Sequence, residues 1–192
     1  MRIPIIKYEI PIPENVKVSY ENNILKVSGP KGEVERKFYH PLIKLSVNDN
    51  KIILETYFAT RREKRLINTW RSHIKNMLEG VQNPFVYRLK VCYTHFPMRV
   101  KLEGNKLIVE NFLGEKAPII KELPYLDKVK VKIEQNKDET EIVVESPDKE
   151  KAGIVASMIE QSTRFLHKRK DRRRFTDGIW LYYKAGKNIL EE

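Results

Sequence analysis

Cys92 and His95 stand three residues apart, and a thiol beside an imidazole is a pairing from which a covalent catalyst can be built. The geometry that the sequence implies works against it. If the stretch around Val91 runs as a strand, residues three apart face opposite sides of the sheet, and no third group to orient the imidazole is evident. Gly29-Pro30-Lys31-Gly32 offers glycines and a lysine, but not the spacing of a phosphate-binding P-loop, and no Lys-Ser/Thr pair opens a helix there. Cys92 is the single cysteine, so neither an internal disulfide nor a CxxC zinc pair exists. His40 and His73 read as packed or solvated side chains. Asp138-Glu139-Thr140-Glu141 reads as solvated charge in a hairpin turn. The expectation is a non-enzyme with no catalytic, cofactor-binding or metal-ligating residues.

Cations are what the sequence concentrates. The chain of 192 residues carries a formal net charge of +11, with a pI of about 9.6. From Arg164 to Lys187 there are nine cations and two anions, or +7 of that total. The densest part is His167-Lys168-Arg169-Lys170-Asp171-Arg172-Arg173-Arg174. Cations near a helix C-terminus complement its dipole, but six within seven residues exceed any capping need and repel one another. Phosphates would neutralise them, with counterion release and steep salt dependence, and the planar guanidinium suits phosphate oxygens. The run that follows, Phe175 and then Ile179-Trp180-Leu181-Tyr182-Tyr183, reads as a strand, so the basic segment reads as a loop pinned at both ends. Trp180 and Tyr183 read as core rather than as base-stacking platforms. Arg61 and Arg65 read as a solvated helix face.

Hydrophobic residues at 41% suffice for packed cores, and charged residues at 33% with ordinary Gly and Pro argue against global disorder. A basic surplus of this size indicates an anionic partner: nucleic acid, an acidic membrane surface or an acidic protein. No apolar run approaches the roughly 18 residues of a membrane span, and the first residues lack a signal-peptide core. A reducing cytosol is the expected compartment.

The elements that must position these residues come in duplicate. Val18 to Val27 aligns without a gap on Val100 to Val109, and Gly32-Glu33 falls opposite Gly114-Glu115 at the same offset. In each copy two strands flank a polar, Asn-containing turn that suits positive φ. Period-two stretches follow at Ile43–Val47 and Val129–Ile133, then at Lys51–Glu55 and Glu141–Glu145. Each copy then turns helical. Leu66, Ile67, Trp70, Ile74, Met77 and Leu78 share one face, opened by a Thr60–Glu63 capping box and stopped at Gly80. Ile154, Val155, Met158, Ile159, Ser162, Phe165 and Leu166 share the other, with Ser146 as N-cap before Pro147. The expected fold is α+β, two tandem repeats, each a four-stranded antiparallel sheet with a helix on one face. Residues 1–82 form the first repeat, and residues 83–192 the second with the basic loop and a C-terminal strand.

Five motifs in order carry a resemblance: Gly29-Pro30-Lys31-Gly32-Glu33, Ser72-His73-Ile74-Lys75-Asn76-Met77 with Gly80-Val81, Tyr93-Thr94-His95-Phe96-Pro97, Asn111-Phe112-Leu113-Gly114-Glu115-Lys116, and Asp177-Gly178-Ile179. On a duplicated frame they resemble the sixth universal large-subunit ribosomal protein family, called ribosomal protein L-nine in eukaryotes, over nearly the whole chain. The resemblance implies a structural part of the large ribosomal subunit, cytoplasmic, bound to large-subunit ribosomal RNA near the sarcin–ricin loop and stalk base. Neighbouring ribosomal proteins adjoin it and translation factors dock nearby. It implies RNA contacts at Asn111, Phe112, Lys116, Lys168, Arg169, Lys170, Arg172, Arg173 and Arg174, made mainly through backbone and shape. The second repeat would then carry most of the RNA grip, with the first mainly positioning it. Gln82-Asn83-Pro84-Phe85 departs from the glycine-containing turn usual in relatives, and the basic loop is richer in arginine.

Overall fold

Leu25 and Val27 alternate with polar neighbours and are fully buried, the mark of a strand with one covered face. They belong to a hairpin that occurs twice. The computed structural model describes residues 3–48, 50–135, 139–164 and 176–189, and divides into two units, Met1–Pro84 and Phe85–Glu192. The first contains β1 (Ile3–Pro11), β2 (Lys17–Glu21), β3 (Ile24–Gly29), β4 (Gly32–Lys37), β5 (Ile43–Asn48), β6 (Lys51–Ala59) and α1 (Arg61–Gly80). The second contains β7 (Phe85–Cys92), β8 (Arg99–Glu103), β9 (Lys106–Glu110), a 3-10 turn (Phe112–Gly114), β10 (Ile119–Glu122), β11 (Lys130–Gln135), β12 (Thr140–Ser146), α2 (Lys149–Ser162), β13 (Gly178–Lys184) and β14 (Lys187–Asn188).

The duplication is exact in register. Val18 pairs with Val27 between β2 and β3, and Val100 with Val109 between β8 and β9, both shifted by 82. Asn22 and Asn23 take positive φ in the first turn and Gly104 in the second. The Phe38 N–H donates to the Asn23 carbonyl, and the Leu123 N–H donates to the equivalent Asn105 carbonyl. Sheet order repeats too. β1-β6-β5 in the first unit corresponds to β7-β12-β11 in the second, whose outer edge at β7 is extended by β13 and β14.

The fold is α+β with a helix on a sheet face in each repeat, but each unit has two sheets where one of four strands was expected. β2-β3-β4 and β1-β6-β5 are separate three-stranded sheets, and β8-β9-β10 stands apart from the five-stranded β11-β12-β7-β13-β14. Two features hid this. β1 carries prolines at both ends of an alternating run, and β4 buries only Val34. Each adds to a hairpin and completes its own sheet. Ile67, Ile74 and the β6 residues Ile52 and Leu54 are fully buried and meet Leu25 and Val27 in one core. Burial of such a side chain contributes roughly 1.5–3 kcal/mol.

The helix ends also differ in part. The capping box forms: the Thr60 N–H donates to Glu63 Oε2 at 2.7 Å and the Arg62 N–H to Thr60 Oγ1 at 3.2 Å. Gly80, however, is the last helical residue, and the cap residue Val81 keeps right-handed backbone. In the second unit the N-cap is Asp148, whose carboxylate accepts from Glu150 and Lys151, while Ser146 Oγ donates to the Lys128 carbonyl. A carboxylate is the stronger acceptor for free helical N–H groups. The buried stripe of α2 is Ala152, Val155, Ala156 and Ile159. Ile154, expected inside, is 39% exposed, and the small Ala152 and Ala156 take the buried positions instead.

The motif around Gly29 proves to be a packing contact. The Lys31 N–H donates to the Val81 carbonyl at 3.0 Å, and a Cβ on Gly29 would lie 2.8 Å from that carbonyl oxygen. Gly29→Ala should therefore destabilise the protein by about 1–3 kcal/mol, measured by urea unfolding. An unchanged midpoint would show that the turn is not seated against the helix end.

Candidate nucleic-acid interface

Three of the motifs meet at one end of the second unit. β7 stops at Cys92 and the chain bends through Tyr93–Pro97. The Thr94 N–H donates to Asp177 Oδ1 at 3.1 Å, His95 Nδ1 lies 3.2 Å from Asp177 Oδ2, and the Thr94 and Thr176 hydroxyls are 3.0 Å apart. The next loop packs on this one. Asn111 Nδ2 donates to the Pro97 carbonyl at 2.9 Å. Gly114, at φ +77°, covers Phe96 so closely that a Cβ would stand 3.2 Å from the ring. Asn111 and Leu113 are also left-handed, at φ 58° and 55°, a region that favours Asn and Gly. Pro30 and Lys31 alone join β3 to β4, whereas residues 111–118 join the equivalent β9 and β10. The second copy has grown a loop where the first keeps a turn.

The basic segment is anchored beside this cluster. α2 ends near Thr163, which is 4% exposed and accepts a hydrogen bond from the Ile179 N–H at 2.9 Å. Gly178, at φ +147°, allows the approach: a Cβ there would lie 3.2 Å from Thr163 Oγ1. Trp180 Nε1 donates to the Thr176 carbonyl at 2.8 Å. The chain thus leaves after Arg164 and returns at Thr176 between two hydrogen-bonded feet. Lys168, Arg169, Lys170, Arg172, Arg173 and Arg174 lie outside the described residues.

The remaining expected contacts divide by burial. Lys116 is exposed. The Phe112 ring is 7% exposed and belongs to the core, a correction to its expected place at the surface. The alternation that buries Leu107 and Val109 delivers the next ring inward through the left-handed Asn111. Asn111 itself is half-buried and bonded to Pro97, so it shapes the loop.

Burial pushes the Cys92 thiol above its ordinary value, against a smaller opposing pull from Lys90, the direction opposite to that of an activated thiolate. His95 is oriented by Asp177, the partner that the sequence did not disclose. Burial alone would raise the Asp177 carboxyl, but hydrogen bonds from the His95 ring and from the Thr94 and His95 backbone outweigh it and hold the group below its ordinary value.

On the open face of the five-stranded sheet, Glu141 pairs with Arg88 at 3.6 Å, and Glu139, exposed beside the turn as expected, also pairs with Lys90 at 2.5 Å. Tyr182 also donates to Glu141. Trp180 and Tyr183 are half-buried on this sheet rather than in the core. A register shift between Leu181 and Tyr183 brings Tyr183 opposite Arg88, whose guanidinium lies 5.8 Å from its ring centroid.

The family described as Ribosomal protein L6 matches residues 12–83 and 96–178, one segment in each repeat. The chain belongs to this family. Similar proteins of the family include the large ribosomal subunit protein uL6 of Staphylothermus marinus, 45% identical over 95% of this chain and 96% of its own length. Those of Aeropyrum pernix and Methanosarcina mazei are 44% and 42% identical, over 90% and 92% of this chain and 91% and 96% of their own lengths. The second ribosomal protein L6 segment runs through the grown loop, the basic stretch and the Asp177 anchor.

A carboxylate lowered on folding adds stability that is complete above the ordinary aspartate range and lost as pH falls through and below it. Asp177→Asn should therefore be less stable than the wild type at neutral pH, with the gap closing as pH drops below about 5. Urea unfolding of both proteins across that range measures it, and a gap independent of pH would contradict the assignment.

Proposed function

We propose that the second unit grips large-subunit ribosomal RNA through Lys116 and the basic stretch Lys168, Arg169, Lys170, Arg172, Arg173 and Arg174, with Asn111 and Phe112 shaping the loop that presents Lys116. The protein is a structural, non-enzymatic constituent of the large ribosomal subunit in the cytoplasm, where ribosomal RNA and other ribosomal proteins are its partners. The RNA site proposed is the region of the sarcin–ricin loop and stalk base, beside the docking place of translation factors.

The observation that carries this reading is the anchoring of the basic stretch. A free cationic tail would bind any polyanion and pay the full ordering entropy on doing so. Here Thr163, Thr176 and Ile179 hold the two ends of the chain that flank the stretch, and Thr176 meets the bend at Thr94 on which the 111–116 loop packs. Phosphate contacts supply the affinity and their salt dependence. Contacts to an RNA helix fall on backbone and 2′-hydroxyls, because side chains cannot enter its deep major groove.

The protein should sediment with large subunits and leave them only at high salt. Recovery wholly in the ribosome-free fraction at low salt would overturn the reading. Arg172→Ala/Arg173→Ala/Arg174→Ala should bind large-subunit RNA more weakly, with the slope of log affinity against log salt smaller by about two to three and an unchanged circular dichroism spectrum. An unchanged slope would remove the stretch from the phosphate contacts.

A further inference from the structure

Among the described residues, the first unit exposes five large hydrophobic side chains, four of them at one corner. These are Ile5 at 59%, Tyr39 at 66%, Leu42 at 55%, Tyr57 at 48% and Phe58 at 69%. Sheet register gathers them. Ile5 pairs with Tyr57, and Ile43 pairs with Thr56, so Leu42 comes next to Tyr57. Tyr39 is three residues before Leu42. Single exposed apolar residues are ordinary, but a contiguous set marks a contact surface. Phe58 sharpens the point. It follows Tyr57 within β6 at φ 49°, a conformation unusual for a bulky residue, and the two adjacent rings both stay exposed between buried Thr56 and Ala59.

The Tyr57 hydroxyl donates to Glu55 at 3.4 Å, and that acid is also paired with Lys7. Further along the same sheet face the charges are balanced, with Lys7 pairing to Glu9 and Glu55, and Lys51 to Glu9. At the corner Arg61, Arg62, Lys64 and Arg65 follow within seven residues of Phe58, all exposed, and none forms an ion pair among the described residues. The acid between them, Glu63, is buried and taken up by Thr60. The chain between Phe58 and Arg61 spans at most about 11 Å, within reach of a long side chain. Helix stability does not account for these cations, because a first helical turn favours acids.

We propose that this corner is a second RNA contact, taking an unpaired segment whose bases stack on Tyr57, Phe58 and Tyr39 while Arg61, Arg62, Lys64 and Arg65 meet its phosphates. Aromatic rings flanked by unpaired cations suit a single strand, because every base has a stacking face and its backbone supplies the anion. An acidic protein would satisfy the cations but would not call for three exposed rings. The inference rests on RNA being the partner, as proposed above, but uses a surface separate in sequence from the basic stretch of the second unit.

The test uses the full chain and a labelled single-stranded oligoadenylate of about twelve nucleotides, in a two-by-two comparison. One change is Tyr57→Thr/Phe58→Asn, chosen because Asn tolerates positive φ. The other is Arg172→Ala/Arg173→Ala/Arg174→Ala. In the background lacking the three arginines, loss of the rings should reduce affinity about tenfold. Unchanged affinity there would overturn the inference, whereas failure of the loop reading would show separately, as wild-type affinity in the triple variant alone. A second variant guards against misfolding: Arg61→Gln/Arg65→Gln changes two exposed side chains and should lower the salt slope by about 1.4. A ring variant that keeps its oligoadenylate affinity yet no longer stays with large subunits would assign the corner to a protein neighbour and overturn the RNA reading.

Discussion

The hydrogen bond from the Ile179 N–H to the buried Thr163 hydroxyl joins the end of α2 to the start of β13, and the second unit's special features depend on it. It ties together two points of the chain separated by the most cationic segment of the sequence. Closing a loop costs entropy that grows only slowly with its length, so a buried bond at the feet can support a long insertion above. Gly178 makes the approach possible, and Asp177, one residue earlier, extends the anchor to His95 and the Tyr93–Pro97 bend. The core of this frame includes Leu89, Ile142, Ile159 and Ile179, all at 0% exposure.

The two repeats show how one frame takes different roles. Hairpin register and the carbonyl that accepts from the far strand are the same in both. The differences lie in what was added. The first copy keeps a minimal turn at Pro30-Lys31 and seats it on Val81. The second copy extends that turn into residues 111–118, lays it over Phe96 and adds β13 and β14 at the β7 edge. The first copy also exposes Tyr57 and Phe58 at the end of β6, a feature that the second does not share.

Much of this was legible in the sequence because it is local. The capping box at Thr60, the helical stripe through Ile67 and Ile74, and the hairpins around Asn23 and Asn105 each follow from spacing within a few residues. What escaped was non-local or depended on small residues. The partnership of His95 with Asp177 spans 82 residues, and nothing near either side chain announces it. Separation into two sheets turned on β1, whose prolines mask its alternation, and on β4, which buries one valine. Phe112 reads as part of a loop motif, and only the left-handed backbone at Asn111 turns its ring into the core. The α2 stripe shifted because Ala152 and Ala156 carry no obvious hydrophobic signal, yet both pack tightly.

The central claim is that the second unit holds large-subunit RNA through residues 111–116 and the basic stretch 168–174. Ultraviolet crosslinking in cells expressing the tagged chain tests it most directly, with sequencing of the attached RNA and mapping of the crosslinked peptides. The account predicts fragments of large-subunit ribosomal RNA from the sarcin–ricin and stalk-base regions, joined to peptides from residues 111–116 and 168–174. Fragments drawn mainly from messenger or transfer RNA, or crosslinks that leave both loops untouched, would contradict it.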